Sequence, residues 1–104
     1  MKTLTGKRIL VTGASGTIGK QIIQQLINSD TYNPAEVIGI DNNESELFFL
    51  DQEYSVDSRV NFFLGDIRDK EKLLRRTKGV DVVFHAAALK HVVMCERSPF
   101  EAVQ

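Results

Sequence analysis

A chain of 104 residues has room for one domain, or part of one, and enough length to bury a real core. Its 13 basic and 14 acidic side chains nearly cancel, so charge alone recommends neither a nucleic acid nor an anionic membrane surface as partner. Cys95 is the only cysteine, which excludes an internal disulfide and a thiolate metal site.

Lys2, Lys7 and Arg8 precede an apolar run of only Ile9, Leu10 and Val11. That run is too short for a signal peptide or a membrane helix, which needs about 18–20 apolar residues, so the expectation is a cytoplasmic protein. Arg8–Thr12 is a short, β-branched run that stops at a glycine-rich turn and reads as a buried strand. Over Thr17–Ser29, Ile18, Ile22, Ile23, Leu26 and Ile27 fall on one face of a helix. After the break at Asn33-Pro34, Glu36–Asp41 reads as a second strand built on Val37, Ile38 and Ile40. Glu44–Tyr54 reads as a short helix capped by Asn43, with Leu47, Phe48 and Leu50 on or near its inner side.

Arg59–Leu64 is the third strand. Asp69 caps a helix running to about Thr77 that Gly79 stops. The basic stretch Lys70–Lys78, mixed with Asp69 and Glu71, reads as that helix's solvated face. Asp81–Ala86 is the fourth strand, and a last helix is expected to begin near Pro99. No repeat, linker or low-complexity segment interrupts the series. A β-α-β-α-β-α-β order with crossover-length connections gives an α/β fold: a doubly wound parallel sheet, a partial Rossmann fold with strands in the order 3-2-1-4.

The loop between the first strand and first helix places Gly13, Gly16 and Gly19 three apart. Gly13 can take positive φ in a tight turn, Gly16 lets backbone N–H groups approach a pyrophosphate, and Gly19 allows close helix packing. The helix N-terminus, beginning with Thr17 and Ile18, adds unpaired donors and about half a positive charge. Ser15 and Thr17 can add hydroxyl donors. Set against this is a plain strand-to-helix turn, but the flanking strand and helix are those a dinucleotide site requires. A Walker loop is disfavoured because Gly19-Lys20 is followed by Gln21 where Ser or Thr is needed.

Asp41 ends the second strand, 22 residues beyond Gly19, where the adenosine ribose should lie. A carboxylate there accepts the ribose hydroxyls and repels a 2′-phosphate by ~1–4 kcal/mol, depending on the effective dielectric. The following Asn42, Asn43 and Glu44 supply no compensating arginine, so NAD is favoured over NADP. The plainer role for Asp41 is as a turn or cap residue.

The glycine loop, Gly65-Asp66-Ile67-Arg68-Asp69 and His85-Ala86-Ala87-Ala88 together resemble the extended short-chain dehydrogenase/reductases. Ala87-Ala88-Leu89-Lys90-His91-Val92 with Glu96-Arg97-Ser98-Pro99 is similar to the nucleotide-sugar dehydratases and epimerases of polysaccharide biosynthesis, in particular the UDP-N-acetylglucosamine 4,6-dehydratase-like group. The resemblance implies that Asp66 bonds the adenine amino group and that Ile67 lies against the ring. It implies that Ala86, Ala87 and Ala88 leave room for the cofactor, and that Lys90 reaches a phosphate or the nicotinamide ribose. Taken alone, Asp66 is a polar turn residue, the alanines a tightly packed strand end and Lys90 a solvated lysine.

His85 and His91 lack a third ligand at metal spacing, so His85 reads as a satisfied strand-end residue and Cys95 as packing. The family's Tyr-x-x-x-Lys pair, in which lysine lowers the tyrosine pKa and tyrosinate acts as base, is missing. Tyr32 is followed four residues on by Glu36, and Tyr54 by Ser58. Residues 1–104 are therefore expected to form the N-terminal NAD-binding portion of a longer enzyme. That portion has no turnover of its own, and its nucleotide-sugar substrate is gripped elsewhere. The alternatives are a stand-alone NAD-responsive regulatory module and, on the shared strand–loop–acid layout, a methyltransferase using S-adenosylmethionine. An unpaired outer edge on the fourth strand, at Val82, Val83 and Phe84, is expected to draw in a second copy as a homodimer or by swapping.

Overall fold

The computed structural model describes residues 4–29, 31–66, 68–86 and 93–95, with Lys70 and the last three by backbone alone. Seven elements alternate as expected: β1 (Arg8–Thr12), α1 (Thr17–Asn28), β2 (Glu36–Asp41), α2 (Glu44–Glu53), β3 (Val60–Leu64), α3 (Lys70–Thr77) and β4 (Val82–His85). A short β5 (Val93–Cys95) follows. The sheet order is β3-β2-β1-β4-β5, so the parallel 3-2-1-4 arrangement stands.

Side-chain alternation along the strands divides the core between two faces. Ile9, Val11, Val37 and Val82 point to one face and pack with Ile23 and Leu26 of α1 and Leu47 and Leu50 of α2. Leu10, Ile38, Ile40 and Val83 point to the other, against Leu73 of α3. Ile9, Leu10 and Val11 are fully buried. Each such side chain contributes about 1.5–3 kcal/mol by leaving water. Burial on both faces explains why β1 and β2 read as near-continuous apolar runs.

Local signals set the helix ends. The Asn43 side chain accepts the Glu46 N–H at the start of α2, and Asp69 accepts the Lys72 N–H at the start of α3. Gly79, at φ +81°, turns the chain out of α3 into β4. On α2 the structure corrects one assignment: Phe48 is 59 % exposed and meets Phe49 edge-to-face, their ring centroids 5.9 Å apart. Only the three-apart pair Leu47 and Leu50 can face the sheet at once, and the helical rotation turns Phe48 away.

A second correction concerns the edge of the sheet. β5 pairs antiparallel with β4, Val83 opposite Cys95, Phe84 opposite Met94 and His85 opposite Val93. The chain thus supplies its own edge to backbone groups expected to be open, and dimerisation through a free β4 edge loses its premise. The helix expected near Pro99 lies outside the described residues.

The amino-terminal end of the sheet is tied by charge. Arg8 Nε donates to Glu36 at 2.9 Å, Asn61 donates to the other Glu36 oxygen at 3.0 Å, and the Arg8 N–H reaches the Asp81 carboxylate at 2.9 Å. These contacts sit opposite the carboxyl ends of the strands, which are left for the loops described next.

Candidate functional site

Thr12 is in register with Ile40 on one side and His85 on the other, so β1, β2 and β4 finish together. The α1 crossover covers one face of the sheet and the α3 crossover the other. The carboxyl ends of β1 and β4, between the two crossovers, are therefore the topological switch point, the place where open α/β sheets bind ligands.

The glycine loop lies at this point, between the end of β1 and the start of α1. Gly13 takes φ +69°, and its carbonyl accepts the Gly16 N–H at 3.0 Å, closing a tight turn. The Ala14 N–H donates to the Ile40 carbonyl at 3.2 Å and pins the loop to β2. Gly16 is the N-cap of α1 and has no side chain to occupy the first-turn donors. By position, the N–H groups of Thr17, Ile18 and Gly19 have no acceptor within the helix, and no acidic residue stands in its first turn. Gly16 and Thr17 are exposed, Ile18 is half-buried and Gly19 is buried. A Cβ on Gly19 would fall 2.0 Å from the Gly13 carbonyl oxygen, so helix and loop are in backbone contact. Such a cradle, with free donors at its crest and the helix dipole beneath, suits an anion such as a pyrophosphate.

Asp41 leans over the same loop. Its Oδ2 accepts the Ser15 N–H at 3.0 Å and the Ser15 hydroxyl at 2.7 Å, while Oδ1 accepts the Asn43 N–H at 3.0 Å. The Ser15 hydroxyl is therefore directed to the acid and not outward. This link gave no sign in the sequence, where the two residues stand 26 apart.

Asp66 follows β3, its carboxylate held by Arg68 through the backbone N–H at 2.9 Å, Nε at 3.1 Å and Nη2 at 2.7 Å. The Arg68 side-chain hydrogen bonds hold this carboxyl well below the usual range, at about 2. Asp66 lies on the rim of a hollow of about 400 Å³ between the ends of β2 and β3 and α3, walled by Ile40, Phe63 and Leu73. Arg76 covers the Phe63 ring, 3.6 Å from its centroid. The hollow lies apart from the glycine loop.

Ala86 continues the β1–β4 ladder, its N–H donating to the Thr12 carbonyl at 3.2 Å. Ile67, Ala87, Ala88 and Lys90 lie outside the described residues. The site thus gathers Gly13, Ser15, Gly16, Thr17, Ile18, Gly19 and Asp41 around one loop, with Ala86 at its border and Asp66 beyond.

His85 departs from the satisfied role expected of it. Nδ1 lies 3.1 Å from the Thr12 hydroxyl, but the buried Nε2 has no partner among the described residues. Burial lowers its pKa below the ordinary 6.5. The unfolded chain then binds the proton first as pH falls, so this contribution to stability is complete above about pH 6.5 and lost as pH drops toward the folded value. Urea midpoints at pH 7.5 and 5.5 should show a smaller pH effect for His85→Asn than for wild type, and equal slopes would refute it. One proton sets a ceiling of about 1.4 kcal/mol per pH unit.

Gly39 is a site residue that the sequence reading passed over. A Cβ there would fall 2.6 Å from the Phe62 ring and 2.9 Å from the Ala14 Cβ, so the missing side chain makes room for the loop itself. A glycine inside a buried strand was the available signal.

Comparison with known proteins gives a family model described as polysaccharide biosynthesis protein, matching residues 9–104. An uncharacterized membrane protein of Methanocaldococcus jannaschii is 50% identical over 98 residues, covering 94% of this chain and 28% of the relative. A UDP-N-acetylglucosamine 4,6-dehydratase (inverting) of Campylobacter jejuni is 36% identical over 99 residues, covering 95% of this chain and 29% of the relative. Among solved structures, Pen from Bacillus thuringiensis superimposes with a TM-score of 0.74 at 32% identity, over 85% of this chain and 26% of that one. The chain therefore spans between a quarter and a third of the proteins it resembles. No helix among its described residues is long and apolar enough to cross a membrane.

Proposed function

The chain belongs to the polysaccharide biosynthesis protein family, and on that premise we propose that it is the NAD-binding portion of a nucleotide-sugar 4,6-dehydratase or epimerase, without turnover of its own. The observation that carries this reading is the backbone cradle at Gly13–Gly19 with a carboxylate hydrogen-bonded to its edge. The first-turn donors of Thr17, Ile18 and Gly19 would hold the pyrophosphate, with Gly13 and Gly16 admitting it. Asp41 would accept a hydrogen bond from the adenosine ribose at the one acceptor site its three donors leave free. By the family resemblance, Asp66 and Ile67 serve the adenine, while Ala86, Ala87, Ala88 and Lys90 serve the remainder of the cofactor.

When bound, NAD supplies a hydride acceptor for a sugar carbon. The residues of this chain bind and orient it, and the sequence holds no Tyr-x-x-x-Lys pair to move the proton. The nucleotide sugar belongs to this reading as the substrate of the whole enzyme.

Calorimetric titration of the full chain with NAD and NADP tests the proposal. NAD should bind and NADP should bind at least roughly tenfold more weakly, since ~1.4 kcal/mol of repulsion at Asp41 already gives that factor. Equal or tighter NADP binding would overturn the assignment of Asp41. Binding of neither would overturn the NAD reading.

A further inference from the structure

The acid at the end of β2 does not stand alone, and we infer that Ser15 is its positioning residue: Ser15 aims Asp41 at the ribose and gives nothing to the phosphate. The inference rests on the NAD reading and adds a role that the glycine pattern does not contain.

Two donors from one residue converge on Oδ2, the Ser15 N–H at 3.0 Å and its hydroxyl at 2.7 Å. Oδ1 has one, the Asn43 N–H at 3.0 Å. An ionised carboxylate offers about four lone-pair sites, so three donors leave one, and it lies on Oδ1. Oδ2 is committed to the loop and Oδ1 is the oxygen presented to a ligand. No other described side chain donates to Asp41.

The chemistry of the hydroxyl separates the two roles open to Ser15. It has one proton, and a phosphate oxygen is only an acceptor. With that proton given to Asp41, the oxygen has only lone pairs to offer a phosphate, which leaves the anion to the backbone donors of α1. The short bond to an ionised acceptor belongs to the stronger class of hydrogen bond, so a phosphate must compete for the proton against a partner already in place. Because Ser15 lies inside the glycine loop and Asp41 ends β2, the same bond makes loop and acid one unit.

The test uses the full chain with Ser15→Ala, Ser15→Thr, Asp41→Ala and the Ser15→Ala/Asp41→Ala double variant, titrated with NAD, NADP and inorganic pyrophosphate. Ser15→Ala should weaken NAD about three- to tenfold, as expected for one lost hydrogen bond, and narrow the gap between NAD and NADP. Pyrophosphate affinity should not move, Ser15→Thr should restore NAD binding, and Ser15→Ala should add nothing once Asp41 is alanine. A parallel loss of pyrophosphate and NAD, or losses that multiply in the double variant, would overturn the inference. Failure of wild type to bind NAD would instead sink the NAD reading. Thermal midpoints of the ligand-free chains then decide separately whether Ser15 holds Asp41. The double variant should fall no further than the larger single change, and additive shifts would refute the link.

Discussion

Gly19→Ala is expected to destabilise the chain by about 3 kcal/mol and to abolish NAD binding, whereas Gly16→Ala should fold almost as wild type and lose affinity alone. The added Cβ at position 19 would meet the Gly13 oxygen at 2.0 Å, the Gly13 carbonyl carbon at 2.8 Å and the Ala14 Cα at 3.0 Å. All three are backbone atoms, so no rotamer change can yield space. Either α1 lifts from the loop or the loop leaves Ile40, and both outcomes expose the buried Ala14 and Ile23 beneath. Overpacking usually costs about 1–3 kcal/mol, and a clash with backbone alone belongs at the upper end. At Gly16 the same Cβ meets only the Gly13 oxygen, at 3.4 Å, and φ is −76°, an ordinary value for any residue. Its methyl would stand at the crest, where the proposed NAD reading places the pyrophosphate. Urea unfolding midpoints alongside NAD titrations separate the two. Wild-type stability for Gly19→Ala would show that the close contact is not required, and unchanged affinity for Gly16→Ala would remove the crest from the binding site.

What the sequence disclosed follows from how local each signal is. β1 and β2 were legible because strands covered on both faces must be apolar throughout, and α1 because its isoleucines and leucine repeat at the helical period. The caps at Asn43 and Asp69 and the turn at Gly13 act within a few residues of themselves and could be read there. α2 was harder: Leu47, Phe48, Phe49 and Leu50 are consecutive apolar residues, and a run without polar interruption does not say which pair faces inward. The sheet decides that by contact. β5 was missed because three residues carry no usable alternation, and its pairing depends on where the chain returns after Ala86. In the site, the glycine spacing and Asp41 were visible, but the single proton of Ser15 had two conceivable acceptors, and only the fold shows which one it reaches.

Gly39 shows the same limit with a measurable consequence: Gly39→Val should cost about 2–3 kcal/mol although valine is the better strand former. By propensity the substitution is favourable, because glycine inside a strand has neither a side chain to pack nor a restricted unfolded state. The neighbourhood reverses the sign. The Cβ would lie 2.6 and 2.8 Å from two atoms of the Phe62 ring and 2.9 Å from the Ala14 Cβ. Phe62 is a half-buried side chain on β3, in register with Gly39, and can swing partly aside. Ala14 cannot, since it is fully buried and its N–H is bonded to the Ile40 carbonyl. The strain should therefore pass into the glycine loop and weaken NAD as well as stability. Phe62→Leu in the Gly39→Val background should recover part of the stability, measured by urea unfolding, and little of the NAD affinity, measured by titration. Full recovery of both would place the whole conflict in the ring. Stability equal to wild type in the single variant would mean that β2 and the loop are not packed as closely as these distances require.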